Sequence, residues 1–262
     1  MSFKHITSRD NPIFKYLKKL ADNARERRQE GKTVLDGVHL IEAYLQTFGE
    51  PELIIIPEGK STLEASNLMQ QLQHVSTMMF PTLMFAELTP VASSTGILAV
   101  VKTPVLPIPE QAQFVMMLED IQDPGNLGSM LRTAAAAGVK AVFLSKGCTD
   151  AWSPKALRGG QGAQFVLPIL EGADLSTQLQ KFDGNSYATT MDGESLFAQD
   201  LSQASAFVMG NEGAGLTLKT IQHCSKRISI PMSQHNALAV ESLNAAAATA
   251  ICLFERKRQC ND

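Results

Sequence analysis

Leu118-Glu-Asp-Ile-Gln-Asp-Pro-Gly-Asn126-Leu-Gly-Ser-Met-Leu-Arg132-Thr-Ala continues the apolar run that begins at Phe114. The order reads as a buried strand, a tight Pro124-Gly125 turn, and a helix from Leu127 to Ala137 stopped by Gly138. Asn126 falls near the helix start, where its side chain can cap free N–H groups. Arg132 lies inside the helix beside small residues, Thr133 and Ala134 to Ala137, which let another backbone pack closely. That leaves one cation near the C-terminal edge of a sheet, the edge at which open α/β folds bind ligands. Two further stretches have the same character. Phe207-Val-Met-Gly210-Asn-Glu212-Gly213-Ala-Gly215-Leu places three glycines directly after a buried strand, permitting close approach of a ligand to backbone. Ile230-Pro231-Met ends a strand, and Glu241-Ser242-Leu243-Asn244 opens an alanine-rich last helix.

Taken singly, each stretch has a plainer reading. Asn126 and Arg132 could be a cap and a surface cation, Glu212 a solvent-facing turn residue, and Ser242 or Asn244 simple helix caps. Other chemistries are poorly supported. No G-x-G-x-x-G follows the strand, no Lys-Ser/Thr completes a phosphate-cradling loop, and H-E-x-x-H and G-x-S-x-G are absent. The four cysteines, Cys148, Cys224, Cys252 and Cys260, show no C-x-x-C pairing, which favours reduced thiols over disulfides or a metal site.

Upstream, Asn11 to about Gln29 carries apolar and basic positions at helical spacing, so one helix is expected there. Strands are expected at Thr33-Val-Leu, Leu53-Ile-Ile-Ile, Val75 to Phe80 and Gly96 to Val101, with helices after Gly37 and over 62–73. Three prolines in six residues, Pro104, Pro107 and Pro109, mark a linker near 103–112. We therefore expect two domains, 1–105 and 106–262. Past the linker, strands at Ala141-Val-Phe-Leu, Phe165-Val-Leu-Pro-Ile, Ala206-Phe-Val-Met and Arg227-Ile-Ser-Ile alternate with helices, the last running from about Ser242 to Arg258. That pattern argues for a mostly parallel sheet covered on both faces.

The 262 residues carry a net charge of −3, unevenly spread. Residues 1–35 hold nine Lys or Arg against four acids, a local +5, leaving 14 basic and 22 acidic side chains, −8, in the rest. A basic lobe on an acidic body suits a polyanion, although a solvated helix face would look the same. The start of the sequence lacks an apolar signal region, and no apolar run approaches membrane-spanning length, so a cytoplasmic protein is expected.

Together, P-x-N-x-G-x-x-x-R-T-A, M-G-x-E-G-x-G-L and I-P-M followed by S-L-N resemble the SpoU (TrmH) branch of the SPOUT RNA methyltransferases across 114–258. The N-terminal part, with Asn11-Pro12, Gly37-Val-His-Leu and Gly96-Ile-Leu-Ala-Val-Val, resembles the small α/β RNA-binding domain that often precedes it. The resemblance implies an α/β fold whose C-terminal parallel-sheet domain holds a deep trefoil knot, a homodimer, and S-adenosylmethionine bound against Gly210, Ile230 and Leu243. It places Asn126, Arg132, Glu212, Ser242 and Asn244 at the active site, with no metal. The implied reaction is methyl transfer to a ribose 2′-hydroxyl, in ribosomal RNA first and transfer RNA second; a non-catalytic RNA-binding or ribosome-assembly factor is the alternative from another class. A guanidinium is a poor proton acceptor at neutral pH, so Arg132 is expected to hold a phosphate and stabilise a developing alkoxide. Two departures stand out. The loop Ser233 to Glu241, with His235 read as an ordinary loop residue, is longer than usual and glycine-free. Leu157-Arg158-Gly159-Gly160-Gln-Gly162 suggests a looser segment in which Arg158 faces RNA.

Overall fold

The computed structural model describes residues 3–59, 61–89, 96–233 and 242–260. The chain divides into two compact units, Met1–Pro104 with Asp150–Phe165, and Val105–Thr149 with Val166–Asp262.

The first unit contains β1 (Lys4–His5), α1 (Pro12–Asp22), α2 (Ala24–Glu30), β2 (Lys32–Asp36), α3 (Val38–Phe48), β3 (Leu53–Pro57), α4 (Leu63–Gln71), β4 (Thr77–Phe80), α5 (Thr82–Ala86) and β5 (Leu98–Lys102). Its sheet runs β1-β4-β3-β5-β2, parallel from β1 to β3 and antiparallel on either side of β5. Phe14, Leu17 and Leu20 of α1 recur at helical spacing and bury against Ile55, Phe80 and Val100. The expected helix over 11–29 is two helices. Asn23 takes extended backbone, its N–H ends α1 on Lys19 O, and its side chain accepts from Arg25 and Glu26 N–H to start α2.

The basic lobe is largely committed inside this unit. Arg27 is buried: its Nε donates to Asp150 Oδ2 at 2.6 Å, and its Nη1 to Leu20 O and Ala21 O, both at 2.7 Å. Arg9 and Lys18 reach Glu87, Lys15 reaches Asp10, and Lys32 reaches Glu52. Among the described residues, Lys4, Lys19 and Arg25 are exposed with no ion pair.

The second unit contains β6 (Phe114–Leu118), α6 (Pro124–Ala137) and β7 (Ala141–Ser145); the chain then gives α7 (Pro154–Gly160) to the first unit and resumes with β8 (Ile169–Ala173), α8 (Leu175–Lys181), β9 (Asn185–Ser195), β10 (Ser205–Met209), α9 (Leu218–His223), β11 (Lys226–Ser229) and α10 (Ala245–Cys260). The sheet order is β11-β9-β10-β6-β7-β8 and every pairing is parallel. Central β6 and β10 are buried along their whole length, as two-sided coverage requires. Parallel strands put the loops after β6, β10 and β11 at one sheet edge.

Three expectations change here. β8 begins after Pro168, which supplies no ladder N–H, and Phe165 instead packs in the first unit beside Tyr44 and Leu157. β9 was not expected because Asn185-Ser-Tyr-Ala-Thr-Thr is polar; its buried centre, Ser186 to Ala188, pairs with β10. Residues 157–162 are not loose. Ser153 caps α7, Leu157 is fully buried, and Arg158 Nη1 lies 3.8 Å from Asp36 Oδ2. Among the described residues no helix is long and apolar enough to cross a membrane, and no group of three His, Cys, Asp or Glu could hold a metal.

Candidate active site

The site forms where β6, β10 and the segment before α10 end. α6 starts at Pro124, earlier than the expected Leu127, because Asp123 caps it: Asp123 Oδ1 accepts from Asn126 N–H at 2.8 Å. The cap is therefore not Asn126, whose side chain is released for other work. Asn126 Nδ2 donates to Glu212 Oε1 at 3.2 Å, and Asn126 Oδ1 accepts from Asn244 Nδ2 at 3.1 Å. Asn244 in turn caps α10, its Oδ1 accepting from Ala246 and Ala247 N–H at 2.9 and 3.3 Å. One asparagine thus joins the three loops that carry the three motifs.

Glu212 also accepts from the backbone N–H of Gln122 and Asp123, both at 3.4 Å. Burial alone would raise its carboxyl pKa. Its own N–H, the Asn126 amide and the Gln122 and Asp123 N–H groups outweigh that and hold it below the usual carboxylate value. The carboxylate sits at the N-terminal end of α6, where the helix dipole favours an anion.

The packing of α10 on α6 brings Asn244 to Asn126. Small residues are buried on both helices, among them Ala134 and Ala137 of α6 and Thr249 of α10. Arg132 is exposed on α6 and forms no hydrogen bond or ion pair among the described residues. Ser242 is also exposed, two residues before Asn244. The expected set is therefore split: Asn126, Glu212 and Asn244 are bonded together, whereas Arg132 and Ser242 stand free of them. His235 and Glu241 lie outside the described residues, so the long loop's effect on the site is not part of this geometry.

Sequence reasoning did not single out Glu119, Asp120 or Asn211 as site supports. Glu119 accepts from Thr217 N–H and Oγ1 at 2.8 and 2.9 Å and from Thr220 Oγ1, fixing the start of α9 to the end of β6. The signal available was T-x-x-T after a glycine loop, a cap pattern with an unassigned hydroxyl. Gly210 needs to be glycine. A Cβ there would fall 2.3 Å from Gly215 C and 2.4 Å from Leu216 N, so the loop closes back on bare main chain.

A family model described as the SpoU rRNA Methylase family matches residues 113–254, the stretch holding every one of these groups. This chain belongs to that family. A second model, the MRM3-like substrate binding domain, matches residues 11–99. An uncharacterized tRNA/rRNA methyltransferase of Synechocystis sp. is 32% identical, with 97% of this chain and 93% of that protein covered. The 23S rRNA (guanosine(2553)-2′-O)-methyltransferase RlmP of Bacillus subtilis is 30% identical, with 96% and 98% covered. The SpoU methyltransferase AviRb of Streptomyces viridochromogenes, solved with the cofactor AdoMet, superposes with a TM-score of 0.78 at 25% identity, covering 95% of this chain and 98% of AviRb. Membership makes this SpoU protein an RNA methyltransferase with a parallel-sheet α/β domain and a smaller N-terminal α/β domain.

Proposed function

We propose that this SpoU protein transfers a methyl group from S-adenosylmethionine to a ribose 2′-hydroxyl in ribosomal RNA. The observation that carries the reading is the Glu212–Asn126–Asn244 chain, which binds the family's three motifs into one partly exposed polar site.

The residues present fit the cofactor. Gly210 and Ile230 are uncharged positions directly after β10 and β11, and Leu243 lies just before α10; Gly210 is bare main chain, and Leu243 is apolar and 37% exposed. Neutral backbone groups beside apolar side chains suit an adenosine moiety. When bound, S-adenosylmethionine supplies a methyl carbon already activated for nucleophilic attack. The protein's share is alignment and charge. Asn126 and Asn244 orient the ribose through amide hydrogen bonds, and Glu212 holds the second loop against the first. Arg132, with no partner among the described residues, is available for an RNA phosphate and for the oxygen that loses its proton. Ser242, exposed beside Leu243, supplies a further hydroxyl at the same rim.

Residues 1–105 form the RNA substrate-binding domain, which supplies RNA affinity, and 106–262 the methyltransferase domain, whose residues 150–165 belong to the first compact unit. We further place the protein in the cytoplasm as a homodimer, with the segments around Gly210 and Ile230 forming the trefoil knot of the SPOUT fold. Light scattering of the full chain tests the dimer. A monomer at micromolar concentration would contradict it.

The test of the activity is label transfer. Purified protein, isotopically labelled S-adenosylmethionine and ribosomal RNA should give label in a 2′-O-methylated nucleoside after digestion and mass spectrometry. Label on a base, or in transfer RNA alone, would overturn the assignment.

A further inference from the structure

We infer that Asn211 is a positioning residue for methyl transfer: its side chain tethers the 210–215 loop to the main-chain carbonyl of Asp120 and so aims Glu212 at the start of α6. The inference rests on the proposed reaction for its kinetic consequence, but the geometry stands by itself.

Asn211 turns its side-chain amide inward on both sides. Its Nδ2 donates to Asp120 O at 2.8 Å, while its Oδ1 accepts from Gly213 and Ala214 N–H at 2.9 and 2.8 Å. Its main chain closes the same loop, with Asn211 N–H on Gly215 O and Gly215 N–H on Asn211 O at 3.1 and 2.9 Å. The acceptor on the other side is held just as firmly. Asp120 has φ +55°, a left-handed conformation uncommon outside glycine. Ser145 at the end of β7 secures it, Oγ accepting from Asp120 N–H at 2.9 Å and donating to Asp120 Oδ1 at 2.6 Å. A Cβ on Gly147 would lie 2.1 Å from that Oδ1, so the turn after β7 leaves room for the carboxylate. Non-glycine residues in such conformations persist where their surroundings over-determine them, and they cluster at functional sites.

Bond lengths decide which contact orients the loop. The bonds that Glu212 accepts from Gln122, Asp123 and Asn126 are 3.2 to 3.4 Å long, beyond the 2.7–3.2 Å usual for N–H···O or at its limit. The Asn211–Asp120 bond at 2.8 Å is near the optimum and joins loops 91 residues apart in the chain. The tether therefore aims Glu212 alongside the longer contacts that the carboxylate makes itself. Asn211 touches no reacting atom; it acts through Glu212.

Two variants separate the tether from the turn. Asn211→Ala removes both. Asn211→Asp keeps an acceptor for Gly213 and Ala214 but has no N–H for the Asp120 carbonyl. Both should lower kcat about 10- to 100-fold, the range for a catalytic group misplaced by about 1 Å. KM for RNA and Kd for S-adenosylmethionine should move less than about twofold. In a Glu212→Gln background, Asn211→Ala should cost less than about twofold more, because the two residues act as one unit. In the free protein, the Glu212 carboxyl followed by ¹³C NMR should titrate closer to the ordinary glutamate value in Asn211→Ala than in the wild type. Full turnover in either variant, additive losses in the double variant, or an unmoved Glu212 titration would each overturn the inference. A wild-type protein that methylates no ribose would instead remove the proposed reaction, and the NMR titration would still decide the tether.

Discussion

Arg27 belongs, by sequence, with the cations that meet RNA, yet the residue is 4% exposed and its partner Asp150 6%. Its removal should therefore appear as lost stability. Arg27→Met keeps most of the side chain's volume but leaves the Asp150 carboxylate buried without its cation, and strips donors from Leu20 O and Ala21 O. Breaking a buried pair from one side costs about 3–5 kcal/mol, because the remaining charge is uncompensated. Taking about 4 kcal/mol and a urea slope of about 2 kcal/mol per molar, the unfolding midpoint should fall by about 2 M. The assay is built in. The single tryptophan, Trp152, packs against the first unit's core two residues from Asp150, and its main-chain N–H donates to Asp150 Oδ1 at 2.9 Å. Fluorescence-monitored urea unfolding thus reports on the unit that Arg27 holds together. Arg27→Met/Asp150→Asn should recover part of the loss, since the orphan charge is gone. Lys15→Ala, at an exposed pair, should leave the midpoint where it was. A midpoint unmoved in Arg27→Met, or a double variant no more stable than the single one, would refute the argument.

If the first unit binds RNA through its free cations, Lys19→Ala/Arg25→Ala should weaken binding and reduce the slope of log Kd against log salt by about 1–2; an unchanged slope would show these charges to be idle. Arg132→Ala should lower turnover by about 10²–10³ while S-adenosylmethionine affinity, measured by calorimetry without RNA, changes less than about threefold; full single-turnover activity would end its catalytic role. Arg258 and Gln259 hold the Glu255 carboxyl at about 2, against an ordinary value of 4.5. A depressed pKa stabilises the fold fully above the ordinary value and is lost as pH falls toward the folded one. The stability gap between wild type and Glu255→Gln should therefore be constant above pH of about 5 and close between about 4.5 and 2; a gap that persists at the acid end would contradict this.

The second unit was legible where strand interiors are apolar on both faces. Phe114 to Leu118 and Ala206 to Met209 read as strands because nothing polar interrupts them, and they are the sheet's centre. β9 was missed for the opposite reason: Ser186, buried within it, bonds to Ser225 and resembles a loop residue in sequence. Charge was legible in amount and not in use. Counting Lys and Arg found the basic lobe, but only long-range partners such as Asp150, 123 residues from Arg27, reveal which cations are already spent. For the candidate site, motif spacing pointed to Asn126, Glu212 and Asn244, and the structure bonds these three together. It gave Asn126 the cap, whereas Asp123, also a good capping residue, takes that role and Asn126 bonds Glu212, 86 residues away.

The excursion of residues 150–165 into the first unit sets an order of events during synthesis. That unit cannot be finished when residue 104 leaves the ribosome, because Asp150, Leu157 and Phe165 are parts of its interior. At roughly 5–20 residues per second, the 61 residues from 105 to 165 take about 3–12 s to make. For that interval Arg27 has no counter-ion and the β2 side of the sheet lacks α7, while β6, α6 and β7 have already been made. The nascent N-terminal part is thus an incomplete body that waits for residues 150–165, and a synonymous change that slows translation between 105 and 165 would prolong its exposure to chaperones and proteases.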